Sequence, residues 1–242
     1  MEVRSTNEGV LADQRAFYRA RAPEYDEWWQ RRGRYELGPD DTSKWNRQVG
    51  LVADALDRLE PLGDVLELAG GTGWWSERLA QAADTLTVLD SCDETLAINR
   101  QRLNRADVTY LVADVFSWEP ERRYDTVFFS FWLSHVPRAL FETFWALVKS
   151  CLRPGGVAFL IDNRRDPART MQDPYVLDEA DDVQRRRLSD GSVHRVVKIF
   201  YEPDDLSDQL RKLGWNPQIM STSRFIYGSA TPPRFSPRRR AS

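Results

Sequence analysis

The stretch Val65-Leu-Glu-Leu-Ala-Gly-Gly-Thr-Gly73 decides the fold of this chain, because an apolar strand runs into a glycine turn and then into a helix. The glycines at 70, 71 and 73 let the backbone turn sharply and approach a ligand closely, since no Cβ intervenes. The amides that open the following helix point at the same ligand. The stretch therefore predicts a site for a nucleotide-like cofactor.

Two cofactor classes use a turn of this kind, and the glycine spacing helps to separate them. A dinucleotide fingerprint needs a third glycine, where this chain has Ser76. Trp74 and Trp75 also crowd the place where a pyrophosphate requires open backbone. A nicotinamide-dependent oxidoreductase on a Rossmann sheet therefore stays only as the alternative.

The pattern Glu-x-Ala-x-Gly-x-Gly in the same stretch resembles the first motif of class I S-adenosylmethionine (SAM)-dependent methyltransferases. The resemblance implies cofactor contacts from Glu67, Ala69, Gly70, Gly71 and Gly73. Alanine stands at 69 where the family usually has glycine. We expect this departure to be tolerated if the φ angle there is negative.

Two further strands end in a carboxylate. Asp90 follows Gly73 by 17 residues, which is the spacing that brings an acidic side chain to a ribose diol, and Ser91 comes next. The resemblance implies that Asp114 reads the adenine amino group, with Val115 beside it. Both aspartates could instead be ordinary helix caps. Their order and spacing after the glycine turn favour the cofactor role.

The order of elements predicts an α/β fold. We expect a Rossmann-like doubly wound sheet, mostly parallel with a terminal antiparallel strand, plus an N-terminal helical lid and an inserted β-hairpin. Ser130 ends a fourth strand and should converge with the cofactor residues at the carboxyl edge of the sheet. A turn at 152–156 precedes a fifth strand at 157–161, and 217–223 with 224–230 form the final antiparallel pair.

The whole chain, 1–242, is predicted to form a single domain. Its expected parts are a lid region at 1–43, a cofactor-binding core at 44–162, an insertion with the hairpin at 163–201, a C-terminal part of the core at 202–231 and a tail at 232–242.

Composition agrees with one enzyme domain: 242 residues, 41% hydrophobic and 29% charged, with a net charge of −3. That charge disfavours a nucleic-acid partner, including the RNA substrate of an RNA-modifying methyltransferase. The chain lacks an apolar run near the roughly 18 residues of a membrane span and a signal-peptide core, so we expect a cytoplasmic protein without a membrane partner. Two cysteines and two histidines form no metal-site spacing. The expected assembly is a monomer or a homodimer.

The N-terminal stretch 17–29 resembles the helical lid of small-molecule methyltransferases. Tyr18, Tyr25 and Trp29 are the candidates to close the site, and Tyr25 is the favoured one, assigned with His135 to the catalytic set. The alternative is that these aromatic side chains only anchor an N-terminal helix.

A hairpin is predicted around Asp190-Gly191, a strong two-residue turn. The implied pairs are Leu188 with Val193, Arg187 with His194, and Arg186 with Arg195. Opposed arginines need a neutralising group, which is either a carboxylate such as Asp181 or Asp182, or an anionic substrate. Arg164 and Arg165, after the fifth strand, could add to an anion pocket, because arginine suits carboxylates and phosphorus oxyanions.

Methyl transfer mainly requires alignment of a nucleophile and exclusion of water, so a base is needed only for some acceptors. His135, after the fourth strand, is the candidate base, and its alternative role is a bond to backbone or to a carboxylate. Trp132 could wall the pocket or belong to the core. The sequence therefore predicts a SAM-dependent methyltransferase for a small-molecule acceptor, anionic as a refinement, with a non-catalytic SAM-binding protein as a further alternative.

Overall fold

The computed structural model describes residues 2–165, 176–180 and 182–233. The strands are β1 Asp64–Leu68, β2 Thr85–Asp90, β3 Val108–Val112, β4 Tyr124–Ser130, β5 Leu152–Asn163, β6 Val176–Ala180, β7 Val183–Arg187, β8 Val193–Val197, β9 Asn216–Ser221 and β10 Phe225–Thr231. The helices are α1 Glu2–Arg21, α2 Tyr25–Gln30, α3 Pro39–Asp57, α4 Ser76–Ala82, α5 Asp93–Leu103, α6 Phe141–Cys151 and α7 Pro203–Lys212. None of the described helices is long and apolar enough to cross a membrane.

Seven strands form the main sheet in the order β3-β2-β1-β4-β5-β10-β9. The first five run parallel, and β10 lies antiparallel between β5 and β9. The predicted Rossmann-like fold with a terminal antiparallel strand is therefore confirmed. In a parallel sheet of this kind the carboxyl ends of the strands on either side of the β1/β4 junction form a crevice for a ligand.

The sheet is buried on both faces, as parallel sheets are. Phe128 and Phe129, adjacent in β4, point to opposite layers. Phe128 stacks on Phe159 and packs with helix α3 and the turn after β1, while Phe129 contacts Phe144 and Trp145 of α6. This two-sided core holds the carboxyl ends of β1, β2 and β4 in one fixed edge.

The turn predicted at 152–156 is part of strand β5. Leu152 pairs with Tyr124, and the next matched pair is Val157 with Thr126, so four residues of β5 lie opposite one residue of β4. Gly155, with φ +88°, allows the chain to bulge out and rejoin the ladder. The residues predicted to form a turn therefore form a bulge within β5, because β4 pairs with β5 on both sides of it.

The predicted hairpin is present, but its register is shifted by one residue. Leu188 N–H donates to Ser192 O, so three residues form the loop, and Gly191 takes a φ of +88°. Arg186 consequently lies opposite His194, and Arg195 lies opposite Arg185. A third strand, β6, pairs with β7 and completes a separate three-stranded sheet.

The backbone at Ala69 departs from the sequence-based expectation. Its φ is +55°, in the left-handed region, and Phe131 at the end of β4 has φ +52°. Each residue directly follows its strand and turns the chain out of the sheet, and a Cβ in that region costs about 1–2 kcal/mol. The expected negative φ at Ala69 is therefore wrong, and the chain has an alanine there with a positive φ.

Replacement of Ala69 by glycine should raise the free energy of unfolding by up to about 1 kcal/mol, because relief of the left-handed strain exceeds the added freedom of the unfolded chain. The matched control is Ala97→Gly on the exposed face of α5, which should lower it by about 1 kcal/mol. Urea unfolding measures both. Equal destabilisation by the two glycines would contradict the strain argument.

Candidate active site

The three glycine positions of the turn differ in the physical reason for having no side chain. A Cβ on Gly70 would lie 2.3 Å from Val88 Cγ1, and one on Gly73 would lie 2.7 Å from Asn99 Cγ. A Cβ on Gly71 would meet nothing within 4 Å, although its φ is +54°. Positions 70 and 73 thus need glycine for packing, whereas Gly71 leaves backbone open to a ligand.

Asp90, at the end of β2, fastens this turn to the next strand. Its Oδ2 accepts the Gly71 N–H at 2.9 Å and its Oδ1 accepts the Cys92 N–H at 2.9 Å. Burial raises the pKa of this carboxyl, and the backbone donors oppose that shift. Asp90 lines the pocket, and a carboxylate oxygen can accept more than one hydrogen bond, so this side chain suits a vicinal diol.

Beneath the turn lies a polar layer that does not reach the pocket. Glu67 is buried, burial raises its pKa to about 8, and Ser76 Oγ donates to it. Asn99 Nδ2 donates to Ser76 Oγ at 2.8 Å and reaches the Gly71 carbonyl at 3.3 Å. The structure therefore places Glu67 under the turn as a support, away from the cleft that a cofactor would enter.

A pocket opens at the carboxyl edge of β1, β2 and β4. Its space between protein atoms, counted together with the open solvent at its mouth, is about 780 Å³. The predicted residues that line it are Tyr18, Tyr25, Ala69, Gly71, Asp90, Ser91, Asp114, Val115, Ser130, Trp132 and His135. A smaller adjoining space, over the glycine turn, is lined by Gly70, Gly73 and Trp29.

Helix α1 forms the outer wall of this pocket. Arg15 Nη1 donates to Asp114 Oδ2 at 2.7 Å, and Asp114 Oδ1 accepts the Phe116 N–H. Gln14 is buried and bridges two elements, because its amide nitrogen donates to the His135 carbonyl and its oxygen accepts the Val197 N–H. The helix is thereby bonded to both sides of the cleft.

His135 is held as a neutral imidazole. Its Nδ1 lies 2.7 Å from the Val197 carbonyl, which only accepts, so Nδ1 carries the proton and Nε2 accepts the Tyr18 O–H at 2.7 Å. Burial, followed by the charges of Lys198, Arg186 and Arg21, holds its pKa well below 6.5. The ring is therefore uncharged at neutral pH, and its Nε2 is a hydrogen-bond acceptor.

A buried ion pair lies next to this histidine. Lys198 Nζ donates to Ser134 Oγ at 2.7 Å and lies 3.6 Å from Asp162 Oδ1. Asp162 Oδ2 accepts the Ser134 N–H at 2.8 Å. Desolvation lowers the pKa of Lys198 to about 8, with the charge of Asp162 opposing it.

The arginines predicted to bind an anion do not meet at one place. Arg186 is half-buried on the face of β7 that Gln184 shares, and it acts electrostatically on Tyr18 and His135. Arg195 is exposed on the other face and pairs with Asp13. The one-residue register shift explains this separation, since neighbouring strand positions face opposite sides.

Arg164 and Arg165 also lie outside the pocket. Arg164 pairs with Glu202, and Arg165 lies over the ring of Phe200. Asp182, the suggested neutralising carboxylate, pairs with Arg138, while Asp181 is outside the described residues. The structure therefore does not bring Arg164, Arg165 and Arg195 together in one pocket.

Among the described residues no cluster of His, Cys, Asp and Glu side chains could hold a metal ion. The open backbone at Gly71, the two-oxygen acceptor Asp90 and the apolar walls of Val115, Phe116 and Trp132 suit a nucleoside with an attached amino-acid chain.

Comparison with known proteins agrees with this geometry. Residues 65–156 match a family model described as a methyltransferase domain. A solved structure of DhpI in complex with S-adenosylhomocysteine (SAH) is similar to this chain, with 33% sequence identity and a TM-score of 0.78. The match covers 93% of this chain and 98% of the DhpI chain. The chain belongs to the class I SAM-dependent methyltransferases. A second DhpI structure, with SAM and HEP, has 35% sequence identity to this chain and a TM-score of 0.77. That match covers 93% of this chain and 98% of the DhpI chain.

Among curated relatives of this methyltransferase, demethylluteothin O-methyltransferase of Streptomyces thioluteus is 38% identical over 100 residues. That match covers 39% of this chain and spans 44% of the relative's length. The cofactor of the methyltransferase is SAM, and its acceptor is a small molecule.

Sequence reasoning missed several residues of the site. Asp162 carried a usable signal, because it is a carboxylate near the carboxyl end of β5, as Asp90 is at the end of β2. Lys198 stands between Val197 and Ile199 in an apolar run, where a lone lysine indicates a buried charge. Gln14 gave no signal, since its two bonds reach residues more than a hundred positions away.

Replacement of Asp90 by alanine should weaken binding of SAM and SAH by about 1.5–3 kcal/mol, because charge-assisted bonds to the ribose are lost. Asp90→Asn, which keeps one acceptor oxygen, should lose less. Calorimetric titration with SAM, SAH and NAD measures this. The control is Asp93→Ala, an exposed carboxylate that pairs with Arg100. Unchanged affinity in Asp90→Ala would place the cofactor elsewhere.

Proposed function

We propose that this methyltransferase transfers the methyl group of SAM to an oxygen of a small anionic acceptor, by in-line displacement. The acceptor would lie between the glycine turn and the Tyr18–His135 pair, with Tyr25 and Trp132 as walls. The observation that carries the proposal is the positive charge around that pair.

Arg186 is the central part of that charge. Its Nε and Nη2 donate to the neutral Gln184 oxygen, and its guanidinium lies 5.9 Å from the Phe17 ring. Within the described parts of the chain, Arg186 makes no ion pair with a carboxylate. A half-buried cation of this kind is stabilised by an anionic ligand, and arginine matches carboxylate or phosphonate oxygens in a bidentate way.

Lys198 adds a second cation close to His135. Its closest approach to Asp162 is 3.6 Å, and its shorter contact is the hydrogen bond to the neutral Ser134 Oγ. Arg21 also acts on His135. Together these side chains make the positive field that supports an anionic acceptor over a neutral one.

The Tyr18–His135 pair determines how protons are handled. The sulfonium of bound SAM supplies an already activated methyl group. A carboxylate or phosphonate oxygen needs no base, so Tyr18 and His135 would only orient it. A hydroxyl acceptor would pass its proton to His135 Nε2, directly or through the Tyr18 hydroxyl, while Nδ1 stays bonded to Val197 O.

Two relatives support this proposal. The curated Streptomyces relative is an O-methyltransferase by name, which favours oxygen as the acceptor atom. A neighbour solved with SAM and HEP indicates that such a fold can hold the cofactor beside a second molecule. Family membership argues against the nicotinamide alternative. A SAM-binding protein without turnover is the outcome expected if no acceptor gives product.

Replacement of Arg186 by glutamine should raise KM for an anionic acceptor by tenfold or more, equivalent to about 1.4 kcal/mol, with little change in SAM affinity. The lost interaction is the attraction between the Arg186 charge, which acts on the Tyr18–His135 pair, and the anionic acceptor. Initial rates with carboxylate, phosphonate and neutral phenol acceptors measure the effect, after a screen has found a substrate.

The matched control for this prediction is Arg195→Gln. It removes the same charge from the same small sheet, but on the exposed face where the partner is Asp13. KM in this variant should stay within about twofold of the parent. Equal effects of the two substitutions, or an effect of Arg186→Gln on neutral acceptors alone, would exclude the anionic acceptor.

The pH profile of KM for an anionic acceptor should rise on its alkaline side. Lys198 has a pKa lowered to about 8, so its positive charge is lost as the pH rises through that value. KM for an anionic acceptor should therefore increase above pH 8, and Lys198→Met should have a high KM without that increase. His135 stays neutral until the pH falls well below 6.5, so no acid limb is expected near 6.5. A flat KM between pH 7 and 9 would contradict the role of Lys198.

A further inference from the structure

The short helix α2 is hydrogen-bonded to the glycine turn through the side chain of Asp26. Asp26 Oδ1 accepts hydrogen bonds from Thr72 Oγ1 at 2.7 Å and from Trp74 Nε1 at 2.8 Å. Its other oxygen pairs with Arg102 of α5. We call Asp26, Thr72, Trp74 and Arg102 the lid clamp.

The lid clamp is compact and partly shielded from water. Arg102 lies over the Trp74 ring, with its guanidinium carbon 4.2 Å from the ring centroid. The side chains of Arg102 and Asp26 are 17% and 27% exposed. Ion pairs shielded in this way are screened less by solvent than fully exposed ones. Asp26 is therefore a firm point of attachment for a six-residue helix.

The residues beside Asp26 explain why this attachment matters. Tyr25, directly before it, and Trp29, one turn later, line the space above Ala69–Gly73. Trp29 also lies against the Trp74 ring, with centroids 5.5 Å apart. A shift of Asp26 would move both aromatic side chains off the turn that holds the cofactor end of the pocket.

We propose that Asp26 is a positioning residue that holds α2 over the glycine turn and thereby limits the rate at which the adenosyl ligand leaves. Asp26 lines neither the pocket nor the adjoining space over the glycine turn. The inference rests on the family assignment and not on the anionic acceptor, so its test uses cofactor binding alone.

The experiment measures dissociation of SAH by stopped-flow displacement, with the combined fluorescence of the nine tryptophans as the signal. Asp26→Ala should raise koff about tenfold, which corresponds to about 1.4 kcal/mol for the lost bonds. Asp26→Asn keeps an acceptor for Thr72 and Trp74 and should recover a large part of the effect. The association rate should change by less than the dissociation rate, because the clamp acts on the closed lid.

Two controls separate this role from a loss of folding. Glu27→Ala removes a neighbouring carboxylate of the same helix, which lies near Gly33, and should leave koff unchanged. Thr72→Val removes one donor from the turn side without altering the lid. In the double variant with Asp26→Ala, Thr72→Val should increase koff little beyond the value of Asp26→Ala alone, because both substitutions break the same bond.

Circular dichroism and urea unfolding check that each variant is folded. The proposal is wrong if koff of folded Asp26→Ala equals that of the parent, or if Asp26→Ala and Thr72→Val are additive. If Asp26→Ala does not fold, Thr72→Val and Trp74→Phe still decide, since each should raise koff alone. The proposal is also wrong if Asp26→Ala lowers the affinity for SAH by slowing association and not by speeding dissociation.

Discussion

The hydrogen bond from the Gly71 N–H to the Asp90 carboxylate is the constraint on which the site depends. It ties the turn after β1 to the end of β2, so two strand ends keep one spacing. Glu67, Ser76 and Asn99 support the turn from below, and Asp26 contacts it from the lid side. A peptide loop bonded on three sides needs little reorganisation when a ligand binds, which is the physical meaning of a preorganised site.

The fold was predictable because its signals are local. Strand ends at Asp90 and Ser130, the glycine turn and the final antiparallel pair all follow from short patterns of apolar and turn residues. The residues that line the pocket were predictable for the same reason, since a parallel sheet brings its carboxyl ends to one edge. Glu67 belongs to the motif but lies beneath it, which the pattern alone does not distinguish.

What the sequence could not supply depends on register and on distant contacts. A loop of three residues instead of two moved Arg195 to the exposed face and brought His194 opposite Arg186. The bonds of Gln14 and Asp26 join positions that are separated by 46 residues or more along the chain. Such pairs depend on how the lid packs on the core, and hydrophobic periodicity carries no information about that packing.

The left-handed backbone at Phe131 has a consequence for protein engineering. Glycine is the usual remedy for a residue with positive φ, and at this position it would remove a ring that packs edge-on against Trp28, Trp29 and Phe225. The same ring forms a wall of the pocket. A search for heat-resistant variants should therefore leave Phe131 in place, because the packing lost with this ring outweighs the roughly 1–2 kcal/mol of left-handed strain that glycine would relieve.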